Sequence, residues 1–262
     1  MSIDEVVDYN RQRWDDLSQS GVAYGRPWLD LTPENARARV DPEGLLGDLD
    51  AKDVLLLAGG GGQQSAAFGF LGSRVTVYDF SEKQLDADRL AAGHYGLSPQ
   101  LIQGDMRDLS SFPDRCFDIT WLAHALGFVP DPRPVFRGVA RILRHGGLFR
   151  VSCPNPFVSS TDERSWSGRG YLLCEPYVDG LERSPTPWEI WTDDSSPKLV
   201  DGPREFVHSL STLLNVPLGL GFQLLGLWED GIKADGASAQ PGTFSHFTTI
   251  CPPYLTMLWR LA

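Results

Sequence analysis

The sequence predicts an α/β chain built on a doubly wound, mainly parallel sheet, and three observations predict it. Val54-Leu55-Leu56-Leu57-Ala58 is an apolar run without polar alternation, as in a strand buried on both faces. Four consecutive glycines, Gly59 to Gly62, follow it and precede a short apolar helix from Ser65 to Leu71 that Gly72 ends. Such a cluster removes Cβ atoms where a ligand must touch backbone, just ahead of helix amides free to meet negative or acceptor atoms. Val75-Thr76-Val77-Tyr78 is then a second, β-branched strand ending in Asp79. A carboxylate roughly twenty residues past the glycines is where a nucleoside ribose is held by its hydroxyls.

The remaining elements follow in order. Residues 1–20 place Val6, Tyr9, Arg13, Trp14 and Leu17 on one helical face, with Asp4 and Glu5 suited to its N-terminus. Gly21 to Pro33 is a turn-rich link carrying Tyr24, Arg26 and Trp28, either a lid or a strap packed on the core. Thr32-Pro33-Glu34 starts a helix, and Pro42 to Leu46 begins a turn into the first strand. After Asp79, Ser81 caps a helix from Glu82 to about His94 that Gly93 or Gly96 ends. Gln100 to Gln103 is a short strand, Cys116 to Leu122 a fourth, and the helix from Asp131-Pro132 runs to about Leu143 before a fifth strand through Val151.

From Phe157 to about Gly202, Ser, Gly, Pro and charged residues alternate with Trp166, Tyr171, Tyr177, Trp188 and Trp191. A loop of that length is expected only where it caps a site. Pro203 to Leu210 reads as a strand entering a helix over 209–217, and strands Phe222–Trp228 and Tyr254–Leu261 pair antiparallel at the sheet edge. The expected organisation is an N-terminal helical lid (1–48), a nucleoside-binding core (49–156), a cap insertion (157–202) and a completion of the sheet (203–262).

With 262 residues, 42% of them hydrophobic, the chain can bury a substantial core, and its net charge of −11 disfavours nucleic acid, whose phosphates need a basic surface. Cys116, Cys153, Cys174 and Cys251 lack C-x-x-C pairing and read as reduced structural thiols. The start MSIDEVVDYN shows no signal segment and no run reaches membrane-span length, so a cytoplasmic chain without a membrane partner is expected. Nothing in the sequence specifies the oligomeric state.

The glycine spacing does not fit a dinucleotide fingerprint, because G-x-G-x-x-G started at Gly59 or Gly60 ends on Gln64 or Ser65. Val54 to Gly62 instead resembles the first motif of class I S-adenosylmethionine (SAM)-dependent methyltransferases, V-L-D-L-G-C-G-T-G, with Gly60 and Gly62 on family glycines. Ala58 replaces the motif's first glycine. Leu56 replaces an acidic residue that helps hold the methionine end of SAM. Further resemblances are YNRQRWDDLS to the family's leading helix, GDMRDL (Gly104–Leu109) to its adenine motif, the Cys116–Leu122 strand to F-D-x-V, and ARILRHGGLFRVSCPNP to R-x-L-x-x-G-G.

That resemblance covers about residues 50–156 and implies a seven-stranded sheet and SAM as cofactor. The implied cofactor contacts are Ala58, Gly59, Gly60, Gly62, Gln63 and Gln64 from the glycine loop, and Asp79 and Phe80 after the second strand. Gly104, Asp105 and Met106 would grip adenine, and Ala123 and Leu126 would pack on SAM after the fourth strand. Tyr24, Trp28, Trp166, Tyr171 and Trp191 are the acceptor-site candidates.

Methyl transfer from a sulfonium is an in-line displacement, and a base is needed only when the acceptor holds a proton. His124, in the loop after the fourth strand, is the candidate base, and His208 its rival. No H-E-x-x-H, paired cysteines or carboxylate cluster calls for a metal, and no G-x-S-x-G elbow is present. The expectation is a SAM-dependent methyltransferase with a small-molecule acceptor. A SAM-binding protein without methyl transfer, or a nicotinamide oxidoreductase, stays open at this point.

Overall fold

The computed structural model describes residues 3–22, 25–158, 161–183, 188–190, 198–231 and 238–262. The apolar run forms β1 (Asp53–Leu57) and the β-branched run β2 (Arg74–Asp79), paired in parallel from Asp53↔Arg74 to Leu57↔Tyr78. Between them runs α3 (Gln64–Phe70), and before them lie α1 (Ile3–Gln19) and α2 (Pro33–Val40). α2 opens with a reciprocal capping box between Thr32 and Asn35, and Pro33 occupies its first turn. α4 (Glu82–Tyr95) is capped by Ser81, whose hydroxyl accepts from the Gln84 amide at 3.1 Å, and closed by Gly96 at φ +67.

β3 (Gln100–Gln103), β4 (Phe117–Leu122), α5 (Arg133–Ile142) and β5 (Leu143–Pro154) follow, then the short antiparallel pair β6 (Trp188–Ile190) and β7 (Lys198–Val200). α6 (Leu210–Gly219), β8 (Phe222–Asp230), α7 (Phe244–Ile250) and β9 (Tyr254–Leu261) complete the order. The main sheet has seven strands arranged β3-β2-β1-β4-β5-β9-β8. β9 lies antiparallel between β5 and β8, as the expected edge hairpin requires. Strand order reverses beside β1, where β2 pairs on one side and β4 on the other; ligands of open α/β sheets bind outside the carboxyl ends of the strands at such a point.

Strand alternation builds a core on each face. Leu55 and Leu57 join Phe136, Val139, Phe149, Leu213 and Trp259 under α5 and α6. Val54 and Leu56 point the other way, to Ala66, Phe68, Leu85 and Trp121 under α3 and α4.

One expectation is corrected. Residues 203–208 form a single bridge in place of a strand, Phe206 opposite Glu182, with the Arg183 amide donating to the Glu205 carbonyl (2.8 Å) and the Val207 amide to the Leu181 carbonyl (2.9 Å); Pro203 has no N–H to extend it. Residues 157–202 contain local structure, a 3₁₀ turn at Glu163–Ser165 and the β6–β7 pair. The connection from β8 to β9 carries α7, started by Thr243, whose hydroxyl accepts from the His246 amide. All four cysteines are free, and among the described residues no helix is long and apolar enough to cross a membrane.

Candidate cofactor and acceptor site

The carboxyl ends of β3, β2, β1 and β4 lie side by side, so the segments that leave them meet along one rim. After β1 the backbone reverses sharply, with φ +44 at Ala58, +111 at Gly61 and +68 at Gly62. Left-handed backbone costs an alanine about 1–2 kcal/mol, and the Ala58 amide's 2.8 Å bond to the Tyr78 carbonyl helps hold it.

Asp79 ends β2 under this turn and is 4% exposed. Its Oδ2 accepts from the Gly60 amide at 3.0 Å and its Oδ1 from the Ser81 amide at 2.9 Å. Burial pushes its pKa from 3.8 up to about 6 against the opposing pull of those amides. Behind the turn, fully buried Asp88 of α4 accepts from the Gly61 amide at 3.1 Å and from the Ser65 hydroxyl, and burial pushes it up to about 7. From above, Ser81 donates to Asp15 of α1 (2.5 Å) and the Trp28 amide to the Gly62 carbonyl (3.2 Å).

The expected role of the glycines is corrected by this packing. A Cβ on Gly60 would overlap Gln84 Cβ, and one on Gly62 would lie 2.5 Å from the Ala87 carbonyl oxygen. Their smallness admits α4 to the turn, where the sequence suggested it would admit a ligand. Gly104 likewise makes room for the Tyr78 ring.

Along the rim, Asp105 accepts from Arg107 Nε at 2.8 Å and Nη2 at 2.5 Å, whereas Asp108 stands in the open and accepts from the Ser110 amide at 2.9 Å. Beyond β4, His124 adopts φ +57, its amide donating to the Ser152 carbonyl at 2.9 Å. The His124 ring is solvent-exposed yet walled by protein and stands edge-on to Tyr254 at 4.7 Å. Those walls, and then the Arg150 guanidinium, hold its pKa below the ordinary 6.5. A non-glycine residue held in left-handed backbone at a strand end is a feature concentrated at functional sites.

A family model described as a methyltransferase domain matches residues 55–151. The "uncharacterized methyltransferase YbaJ" of Bacillus subtilis is 31% identical over 240 residues, 86% of this chain and 91% of that relative. The chain belongs to the class I SAM-dependent methyltransferase family. The ubiquinone biosynthesis O-methyltransferase of Aeromonas salmonicida is 31% identical over 109 residues, 42% of this methyltransferase and 46% of that enzyme. A SAM-dependent methyltransferase from Mesorhizobium loti shares the fold with a TM-score of 0.65 at 23% identity, covering 89% of this chain and 100% of the other.

The methyltransferase brings Ala58, Gly59, Gly60, Gly62, Asp79, Phe80, Gly104, Asp105 and Ala123 to the rim, at the ends of four adjacent strands, while the Met106 side chain turns into the core. Gln63 Nε2 donates to the Arg26 carbonyl at 2.9 Å, tying the strap to the turn, and Gln64 opens α3. Leu126 is corrected: its side chain is fully buried in the core, and its carbonyl meets His208 Nε2 at 3.0 Å. That bond also removes His208 as a base. The ring is 6% exposed, sits beneath the turn after β4, and burial lowers its pKa.

Trp28 is corrected to a strap residue, packed on the core with Arg39 stacked 4.7 Å from its ring. Trp166 and Tyr171 pack on α7, Tyr171 Oη lying 2.8 Å from His246 Nδ1 and its ring 5.0 Å from Phe247. Tyr24 and Trp191 lie outside the described residues.

Sequence reasoning missed Asp88, although a charged residue on the buried stripe Leu85–Asp88–Ala91 was a visible signal. It also missed Asn10, whose side chain donates to the Phe128 carbonyl (3.3 Å) and the Arg204 carbonyl (3.1 Å) and accepts from the Arg204 amide (2.7 Å). Through it α1 is fastened across the end of β4.

Proposed function

We propose that the methyltransferase binds SAM along the rim and transfers its methyl group to a small molecule admitted beside His124. The observation that carries the small-molecule reading is the roof over the end of β4. Trp14 of α1 packs edge-on to Phe128 at 5.4 Å and to Trp188 of β6 at 5.9 Å, and Asn10 clamps the same turn. A macromolecular acceptor would have to displace both elements, and the acidic net charge of −11 works against a nucleic acid. On this reading α1 and the strap are the lid, and 157–202 supplies the cap.

The residues fit SAM. Each Asp79 oxygen accepts one amide and keeps lone pairs that can take the two vicinal ribose hydroxyls. Beside the turn, buried Gln84 Oε1 has no hydrogen-bond partner among the described residues and is an acceptor available to a ligand donor. Asp105 is placed for an exocyclic amine once its contact with Arg107 is shared. SAM supplies an electrophilic methyl group on a sulfonium. Beside it the neutral imidazole of His124, favoured by its lowered pKa, would take the proton of a hydroxyl or amine acceptor.

Isothermal titration with SAM and S-adenosylhomocysteine, followed by a methyl-release assay on a metabolite panel, tests this reading. SAM binding with methyl release to at least one small molecule is expected; absence of SAM binding would reject it. A second reading, SAM binding without methyl transfer, is favoured by Leu56: fully buried among Val54, Ala66, Phe68 and Trp121, it offers no polar group to the methionine end. Tight SAM binding with no release to any acceptor would select it.

A further inference from the structure

We infer that Asp88 is the positioning residue for the cofactor turn, anchoring from α4 a loop that the first strand of this chain cannot anchor with a carboxylate. This inference rests on the SAM-binding reading. Leu56 occupies the acidic position of the family motif and is sealed in an apolar cluster. The turn's buried amides still require acceptors. Gly60 finds Asp79, while Gly61 finds Asp88 and shares its proton with the Gln84 carbonyl at 3.1 Å. The other Asp88 oxygen takes the Ser65 hydroxyl on the first turn of α3. One carboxylate thus joins the middle of the turn to the helix that follows it.

The charge balance argues that this carboxylate is kept for its acceptors. Among the described residues no cation reaches it: β2 presents Asp79, a like charge; α3 presents Ser65; the turn presents amides. Arg89, its neighbour on α4, is occupied by Glu82 and Asp86 at the surface. A buried carboxylate without a counter-ion is destabilising in itself, and a neutral side chain would serve packing alone at lower cost. Asp88 instead fixes where the Gly61 amide lies, and with it the height of the turn over Asp79.

The test measures the SAM dissociation constant and the melting temperature of the full chain for Asp88→Asn, Asp88→Leu, Ser65→Ala and the Ser65→Ala/Asp88→Asn pair. Asp88→Asn keeps one oxygen for Gly61 and should bind SAM about tenfold more weakly with no loss of melting temperature; Asp88→Leu should lose about a hundredfold. Ser65→Ala should weaken SAM by a few-fold, and the pair no more than Asp88→Asn alone, because both act through one contact. Leu85→Ala, on the same helix but buried in the apolar cluster with Phe68 and Val77, should lower the melting temperature and leave SAM affinity unchanged. If the wild type binds SAM and Asp88→Asn binds it equally well, the inference is overturned. Should Asp88→Asn fail to fold, unchanged affinity in Ser65→Ala overturns it instead. A wild type that does not bind SAM rejects the proposed function and this inference together.

Discussion

Along one rim, the cofactor side and the acceptor side are assembled differently. Around β1 and β2 the contacts join residues near in sequence: Asp79 to Gly60 across 19 positions, Asp88 to Ser65 across 23 and to Gly61 across 27. Beyond β4 they join distant segments: Asn10 to Phe128 across 118 positions and to Arg204 across 194. The first side buries carboxylates with raised pKa values under backbone amides; the second leaves an imidazole open to solvent under a roof of aromatic rings. Cofactor affinity on one side and turnover on the other can therefore be altered separately.

The largest expected disruption of that division is Gly62→Val. Its Cβ would lie 2.5 Å from the Ala87 carbonyl oxygen in a backbone at φ +68. Overpacking and left-handed strain together should cost on the order of 3 kcal/mol or more, read by denaturant unfolding. An unchanged midpoint would mean that α4 does not rest on the turn.

On the other side, His124→Ala should cut turnover by roughly a hundredfold and leave SAM affinity and stability alone. Because the His124 pKa is lowered, the neutral base persists below the ordinary 6.5, and the wild-type rate should decline only at more acidic pH. Full activity in His124→Ala would leave proximity as the whole of catalysis on that side.

Asp79→Ala should weaken SAM by about 1.5–3 kcal/mol, the scale of hydrogen bonds to a charged group. It should also change the pH dependence of folding. The Asp79 carboxyl, raised from 3.8 to about 6, keeps in the folded chain a proton that the unfolded chain releases between those values. Its favourable contribution is thus full below pH 4 and is lost as pH rises to 6, about 1.4 kcal/mol per pH unit. Asp79→Ala should roughly halve the fall of stability across that window, Asp88 supplying the remainder, and an unaltered slope would place the titration elsewhere. Smallest is the contrast at the end of β3: Asp105→Asn should weaken SAM by about 1 kcal/mol while Asp108→Asn, capping a turn in solvent, stays at wild type. The reverse would move the adenine contact by three residues.

By itself the sequence determined what repeats or acts locally. The uninterrupted apolar run of β1, the β-branched β2, the Ser81 and Gly96 caps and the carboxylate of Asp79 at a strand end each follow from the chemistry of a few consecutive residues. The motif resemblance then supplied the seven-stranded sheet that those signals alone do not specify. Only the tertiary structure decided which neighbour each residue serves. The glycines looked like clearance for a ligand and turned out to admit α4, because a missing Cβ does not say what approaches it. Leu126 and His124, two positions apart after the same strand, separated into core and rim once φ +57 at His124 turned the chain. His208 was a plausible base until its bond to the Leu126 carbonyl placed it under the turn. Asp88 was readable as a charge on an apolar stripe, but its donors, the Gly61 amide and the Ser65 hydroxyl, lie 27 and 23 positions upstream. Periodicity and propensity describe each segment alone, whereas that pairing exists only when α3, α4 and the turn are packed together.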